Sequence, residues 1–153
     1  MNPGETVKKF LDRWNKHDVD GIVTLLDAEI VGSNPLLDPH KQRGIEGVRE
    51  GTTALIRAFP DIKMEIAKTV VQGDTAAVEY VETATLKGPF ELSTLSTQPT
   101  NRSYKLPVAL FFRVNDKGLI VELRSYWDTR KYFQQIGIDP ASFLEFGRSI
   151  RER

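Results

Sequence analysis

Asp128 follows Tyr126 and Trp127 and precedes Thr129, so a carboxylate stands where an aromatic, β-branched run gives way to a helical pattern. Side chains at such a passage can face a cavity. A carboxyl in apolar surroundings has its charged form disfavoured, so it can take a proton from carbon and return one to oxygen. Asp128 is therefore the first candidate for acid–base work, set against a structural role in capping the following helix or pairing with Arg130. Glu82 is the second. On one strand it shares a face with Val78, Tyr80 and Ala84, while Glu79 points to the other. A solvated or ion-paired surface acid is the alternative for Glu82. Tyr80, Tyr104 and Tyr126 can donate to a substrate carbonyl, although strand aromatics more often pack with the hydroxyl at a rim. Trp14, Trp127 and Phe112 suit pocket walls or core, and Arg102 either closes a pocket over an anion or stays solvated. His17 and His40 are isolated from acids at ligand spacing, so no metal site is expected.

The elements that must position these groups follow from periodicity. Val7, Phe10, Leu11 and Trp14 fall at i, i+3, i+4 and i+7, the apolar stripe of a helix. Asp18 suits the N-cap of a second short helix carrying Ile22, Val23, Leu25 and Leu26. A short strand over 28–34 is followed by 35–44, whose two prolines predict a loop. Helical spacing returns over 47–59 and stops at Pro60. Ile62, Met64 and Ile66 then alternate with Lys63, Glu65 and Ala67, a strand with one buried face. Further long strands are expected over 75–87, 104–114 and 119–127, the last two joined by the polar turn Asn115-Asp116-Lys117-Gly118. The polar stretch 88–103 reads as a long connection able to cover a pocket mouth. Thr129 opens a short helix with Tyr132, Phe133 and Ile136 inward and Gly137 at its end. Asp139-Pro140 starts a last helix with Phe143, Leu144, Phe146 and Ile150, packed back on the sheet or across to a second subunit. Helices followed by antiparallel strands indicate α+β.

Composition bounds the partners. A chain of 153 residues buries roughly 70% of its unfolded surface, which suits one domain over 1–153 with 138–153 as a helical extension. Lys plus Arg equals Asp plus Glu at 21 each, so no net field draws nucleic acid or an anionic membrane. Cysteine is absent, which removes disulfides and thiolate chemistry. No apolar run reaches the ~20 residues of a membrane span, and Asn2-Pro3-Gly4-Glu5 lacks the apolar core of a signal peptide. A cytoplasmic location is the resulting expectation.

Several pieces in order resemble the SnoaL-like polyketide cyclase family, within the nuclear transport factor 2-like superfamily. They are the Trp14 helix with Asp18-Val19-Asp20-Gly21, the helix ending in Phe59-Pro60-Asp61, and the strand pair over 70–86. Pro99-Thr100-Asn101-Arg102, Phe112-Arg113-Val114, Lys117-Gly118-Leu119-Ile120-Val121-Glu122, and Trp127-Asp128 with Gln134-Gln135-Ile136-Gly137 continue the series. The resemblance covers about residues 5–137. It implies a cone-shaped α+β fold, a strongly curved mixed or antiparallel sheet wrapped by N-terminal and middle helices around one pocket, commonly as a homodimer. It also implies an apolar small-molecule ligand, no cofactor, and an aspartate near the end of the last strand, here Asp128, as acid and base for intramolecular aldol closure or a related isomerisation or hydration. A histidine that such cyclases often carry falls near Leu86 and is missing. Ketosteroid isomerases of the superfamily place a base at Asn34, a phenol at Phe10 and a carboxylic acid near Leu110, none of which can do that work here. The superfamily's epoxide hydrolases need two acids around an arginine, for which Glu82, Arg124 and Asp128 are the possible set. A ligand-binding domain without chemistry and a dimerising interaction module are the other readings.

Overall fold

A computed structural model describes residues 2–92 and 95–139. Helix α1 (Pro3–Asn15) starts at Asn2, whose side chain accepts from the Glu5 N–H at 3.0 Å, with Pro3 in the first turn. Its stripe Val7, Phe10, Leu11 and Trp14 is buried, as the spacing predicts. Asn15 ties the end of α1 to the next layer through two hydrogen bonds with the Met64 backbone, at 2.8 and 2.7 Å. Asp18 caps α2 (Val19–Val23) at the Gly21 N–H, 2.8 Å away. The Arg13 guanidinium, 2.7 Å from the Asp18 carboxylate, holds that carboxyl below its ordinary range. His17 sits at the corner between the helices with φ 54° and its ring 3.3 Å from the Ile62 carbonyl, a structural position.

Strand β1 (Leu26–Asn34) turns directly into β2 (Leu37–Arg43), where the sequence predicts a loop. Pro35 stays in the turn, and Pro39 falls within β2 between the paired residues Leu37 and Gln42, in an irregular stretch of the sheet's outer strand, where a proline is tolerated. Gly44, at φ 75°, then starts α3 (Gly44–Ala58) three residues earlier than its apolar spacing suggests. Strands β3 (Lys63–Gln72) and β4 (Thr75–Thr85) form a hairpin through Gly73, at φ 59°. The connection expected over 88–103 contains a small hairpin of its own, β5 (Phe90–Leu92) and β6 (Leu95–Thr97). Strands β7 (Ser103–Val114) and β8 (Ile120–Tyr126) follow, then α4 (Thr129–Ile136), closed by Gly137 at φ 78°.

The six-stranded sheet runs β2-β1-β8-β7-β4-β3. It is mixed: β1 pairs with β8 in parallel, and the other neighbouring strands are antiparallel. Register shifts in β1–β2, β1–β8, β3–β4 and β7–β8 add the local bends that let a sheet wrap around a core. The core lies between its inner face and helices α1, α3 and α4. Lys87 and Gly88 both donate to the Ala58 carbonyl, so the end of α3 docks on the chain after β4, and Phe90 packs edge-on to Phe59 at 5.4 Å. No helix among the described residues is long and apolar enough to cross a membrane. Ile138 is buried at the end of α4, and the helix expected from Asp139-Pro140 onward lies outside the described residues beyond 139.

Candidate active site

Strand β4 buries Val78, Tyr80 and Ala84 and turns half-buried Glu82 inward with them. β7 lies beside it in register, Leu110 opposite Val78, Leu106 opposite Glu82 and Tyr104 opposite Ala84. Over this wall α1 lays Phe10 and Trp14, and α3 lays Val48, Thr52 and Leu55. Asn34 from β1, Leu123 and Ser125 from β8, Trp127 and Tyr132 complete a largely apolar cavity of about 120 Å³. Two polar clamps hold α4 over its end. Gln135 exchanges two hydrogen bonds with the Lys105 backbone, at 2.9 and 3.2 Å, and the Thr100 hydroxyl donates to the Ile136 carbonyl at 2.6 Å.

Glu82 is the one carboxylate among the described lining residues, and no lysine, arginine or histidine stands among them. Its Oε1 accepts from the Tyr104 hydroxyl at 2.6 Å. Tyr104 stands edge-on to Tyr132 with ring centroids 4.7 Å apart, and Tyr132 to Trp127 at 6.4 Å. Loss of water pushes the Glu82 carboxyl up to about 7, the Tyr104 hydrogen bond holding it partly back. Burial, reinforced by the negative charge of Glu82, raises the hydroxyls of Tyr80, Tyr104 and Tyr132 well above 10.0. These phenols therefore remain protonated donors around a carboxyl poised near neutrality. Among the described residues no group of three acids or histidines gathers as a metal site requires.

Of the candidate residues, the structure brings Glu82, Trp14, Asn34, Tyr80 and Trp127 together on the cavity wall. It places Asp128 elsewhere. Tyr126 is exposed, Trp127 turns in and Asp128 turns out again, following strand alternation. The exposed Asp128 carboxylate accepts from the Lys131 N–H at 3.0 Å as the N-cap of α4, the structural role its position also allowed. Tyr126 is on the outer face, edge-on to Phe111 at 6.0 Å. Phe112 is core, 1% exposed, and outside the cavity lining. Arg102 is exposed beside Gly137. Glu82, Arg124 and Asp128 do not converge: Arg124 pairs with Glu122 at 2.8 Å and lies over the Phe111 ring, outside the sheet.

The three positions matched to the isomerase groups, Phe10, Asn34 and Leu110, all line the cavity. Two contributors are invisible to sequence reasoning. Tyr132 reads only as an inward helix residue, with no sign of its link to Tyr104. Gln42 falls in the expected loop, whereas its amide lies between Gly32 and Gly51, where an added Cβ would come within 2.8 and 2.9 Å of it. No sequence pattern signals that fit, because the glycines lie on different elements.

The SnoaL-like domain family matches residues 7–123, which include Glu82 and Tyr104 but not Trp127 or Tyr132. No curated protein matches the sequence. Among solved structures, a candidate SnoaL-like polyketide cyclase from Jannaschia sp. CCS1 superposes with a TM-score of 0.78 at 22% identity, covering 90% of this chain and 92% of that one. IdmH from Streptomyces antibioticus, a candidate polyketide cyclase, gives 0.73 at 24% identity over 90% and 100%. A Catenulispora acidiphila protein with a ketosteroid isomerase-like fold gives 0.70 at 17% identity over 91% and 96%. At these identities the likeness is one of fold.

Proposed function

Since the chain belongs to the SnoaL-like domain family, we propose that it is a small-molecule enzyme in which Glu82 moves a proton on an apolar carbonyl compound. The observation that carries this reading is the Glu82 carboxyl, hydrogen-bonded to Tyr104 in an apolar cavity and pushed up to about 7. A base for carbon acids must be part ionised at working pH and still basic enough to accept the proton, and a carboxyl near neutrality meets both demands. Ionised Glu82 takes a proton from the carbon next to the carbonyl. The C–H electron pair becomes the enolate double bond, and the carbonyl π pair moves to oxygen. Protonated Glu82 then returns the proton, to carbon for isomerisation or to oxygen after aldol closure. Tyr80, Tyr104 and Tyr132 stay neutral throughout, and the Tyr104 hydrogen bond keeps the carboxyl oriented.

Titration of the Glu82 carboxyl by side-chain carbon NMR, assigned with Glu82→Gln, tests the premise. The expected midpoint lies near 7, and one at the ordinary value near 4.5 would remove the proton carrier.

We further propose that the partner of the outer sheet face is a second copy of this chain. Val70 and Tyr126 are about half exposed there, at 53% and 50%, with Phe111 at 37%. Arg113, Glu122 and Arg124 form ion pairs on the same face. A two-fold copy brings such mixed charge against its opposite while covering the apolar centre. Light scattering of the wild type and of Phe111→Glu is the check: a dimer that falls to monomer is expected, and a wild-type monomer would refute it.

A further inference from the structure

The indole N–H of Trp127 is fully buried and finds no hydrogen-bond partner among the described residues. The Thr129 hydroxyl shares that condition, but Thr129 is not on the cavity wall, whereas Trp127 is. Buried donors are almost always paired, because an unpaired one forgoes the hydrogen bond it had in water. An orphan donor on the wall of a ligand cavity is accounted for when the ligand carries the missing acceptor. Its position fits that use. Tyr132 packs against both Trp127 and Tyr104, and Tyr104 donates to Glu82, so the donor and the carboxylate belong to one cavity and are linked through the rings of Tyr132 and Tyr104. Tyr104 is committed to Glu82, and among the described residues of the wall no other side chain is left as a buried unpaired donor.

We propose that Trp127 is a catalytic residue whose indole N–H binds the carbonyl oxygen of the substrate, so that the ligand class is a ring ketone or related carbonyl compound rather than a hydrocarbon or a carboxylate. The proposal rests on the reading of Glu82 as proton carrier and adds the group that receives the developing charge. As Glu82 removes the proton, the π pair arrives on the oxygen held by Trp127, and a neutral N–H fixed beforehand binds that oxygen more strongly than it binds the ground-state carbonyl. A carboxylate ligand is disfavoured because it would enter a cavity that already holds Glu82 and, among the described lining residues, no cation. The interior of about 120 Å³ is close to the ~150 Å³ that takes up benzene in an engineered apolar cavity, so a single six-membered ring suits it.

The test uses cyclohexanone and its isostere methylenecyclohexane, which lacks the oxygen. The chain has two tryptophans, so its nitrogen–proton NMR spectrum carries two indole signals, and Trp127→Phe identifies the one from Trp127. Cyclohexanone is expected to move that signal downfield while methylenecyclohexane does not, and to bind roughly tenfold more tightly, a preference that Trp127→Phe erases. A Trp127 signal unmoved by cyclohexanone at its solubility limit overturns the proposal, and the wild-type spectrum decides this even if Trp127→Phe does not fold. Deuterium exchange at the α-carbon of cyclohexanone, compared with Glu82→Gln, reports separately on the proton carrier. An indole shift without Glu82-dependent exchange removes the Glu82 reading and leaves the carbonyl site standing. Exchange without an indole shift removes Trp127 and leaves Glu82.

Discussion

Replacing Glu82 by glutamine should stabilise the protein above neutral pH and leave it nearly unchanged in acid. The amide side chain keeps an oxygen that accepts from Tyr104 and loses the charge. The folded carboxyl titrates at about 7 against 4.5 for an ordinary glutamate. Below 4.5 both the folded and unfolded chains hold the proton, so burial brings no penalty from this group. Between the two values the unfolded chain gives up its proton while the folded one keeps it. Since the slope of unfolding free energy with pH follows protons bound in the unfolded minus the folded state, wild-type stability falls across this window and levels off above about 7. At about 1.36 kcal/mol per pH unit the full loss is about 3 kcal/mol. The assay is urea denaturation of both proteins across that window, taking the difference at each pH so that groups common to both cancel. The difference should grow in favour of Glu82→Gln from acid to neutral pH by about 3 kcal/mol. A flat difference would mean that Glu82 titrates as an exposed acid. One growing in favour of the wild type would mean a carboxylate stabilised by its surroundings, and either result would refute the desolvation argument.

Tyr104→Phe removes the donor that favours the charged form of Glu82. The Glu82 midpoint should move further up by carbon NMR, and thermal or urea denaturation should show a stability loss of about 1 kcal/mol. Asp128→Ala should cost about 1 kcal/mol through loss of the α4 cap, measurable by urea denaturation. The Glu82 midpoint and the cyclohexanone shift should both be unchanged in that variant, whereas a loss of α-carbon exchange without a loss of stability would return Asp128 to the chemistry.

The helices and long strands are legible in the sequence because each announces itself locally. The stripe Val7, Phe10, Leu11 and Trp14, the Asp18 cap and the buried Ile62 and Met64 need no distant partner to be recognised, whereas Ile66, expected on the same buried face, is exposed where the β3–β4 register shifts. Strand β2 is not legible, since Pro35 marks the turn before it correctly and Pro39 within it reads as more loop until the sheet order makes that strand an edge. Nor is the parallel pairing of β1 with β8, decided between segments far apart in sequence. The two carboxylates show the same division. Asp128 stands out because it opens a helix, and that local cue is its capping role. The inward direction of Glu82 is readable from period two, but its loss of water depends on α1 and α3 closing over that particular face, which a strand pattern does not reveal.

A cavity with one described carboxylate also fixes the form of its pH dependence. Where a separate acid and base act together, rate rises and falls as each titrates in turn. Here Phe10, Asn34 and Leu110 occupy the wall without any titratable group, and the phenols nearest Glu82 titrate well above 10.0. No second titration then falls within the working range. The rate of α-carbon exchange on cyclohexanone should therefore rise with pH, pass its midpoint near 7 as Glu82 ionises, and stay level beyond it. Tyr104→Phe should carry that midpoint upward with the Glu82 titration, because one group sets both. A bell-shaped profile would require a second ionisation between neutrality and the tyrosine range, which the described lining does not contain, and would show that proton transfer draws on a group outside this wall.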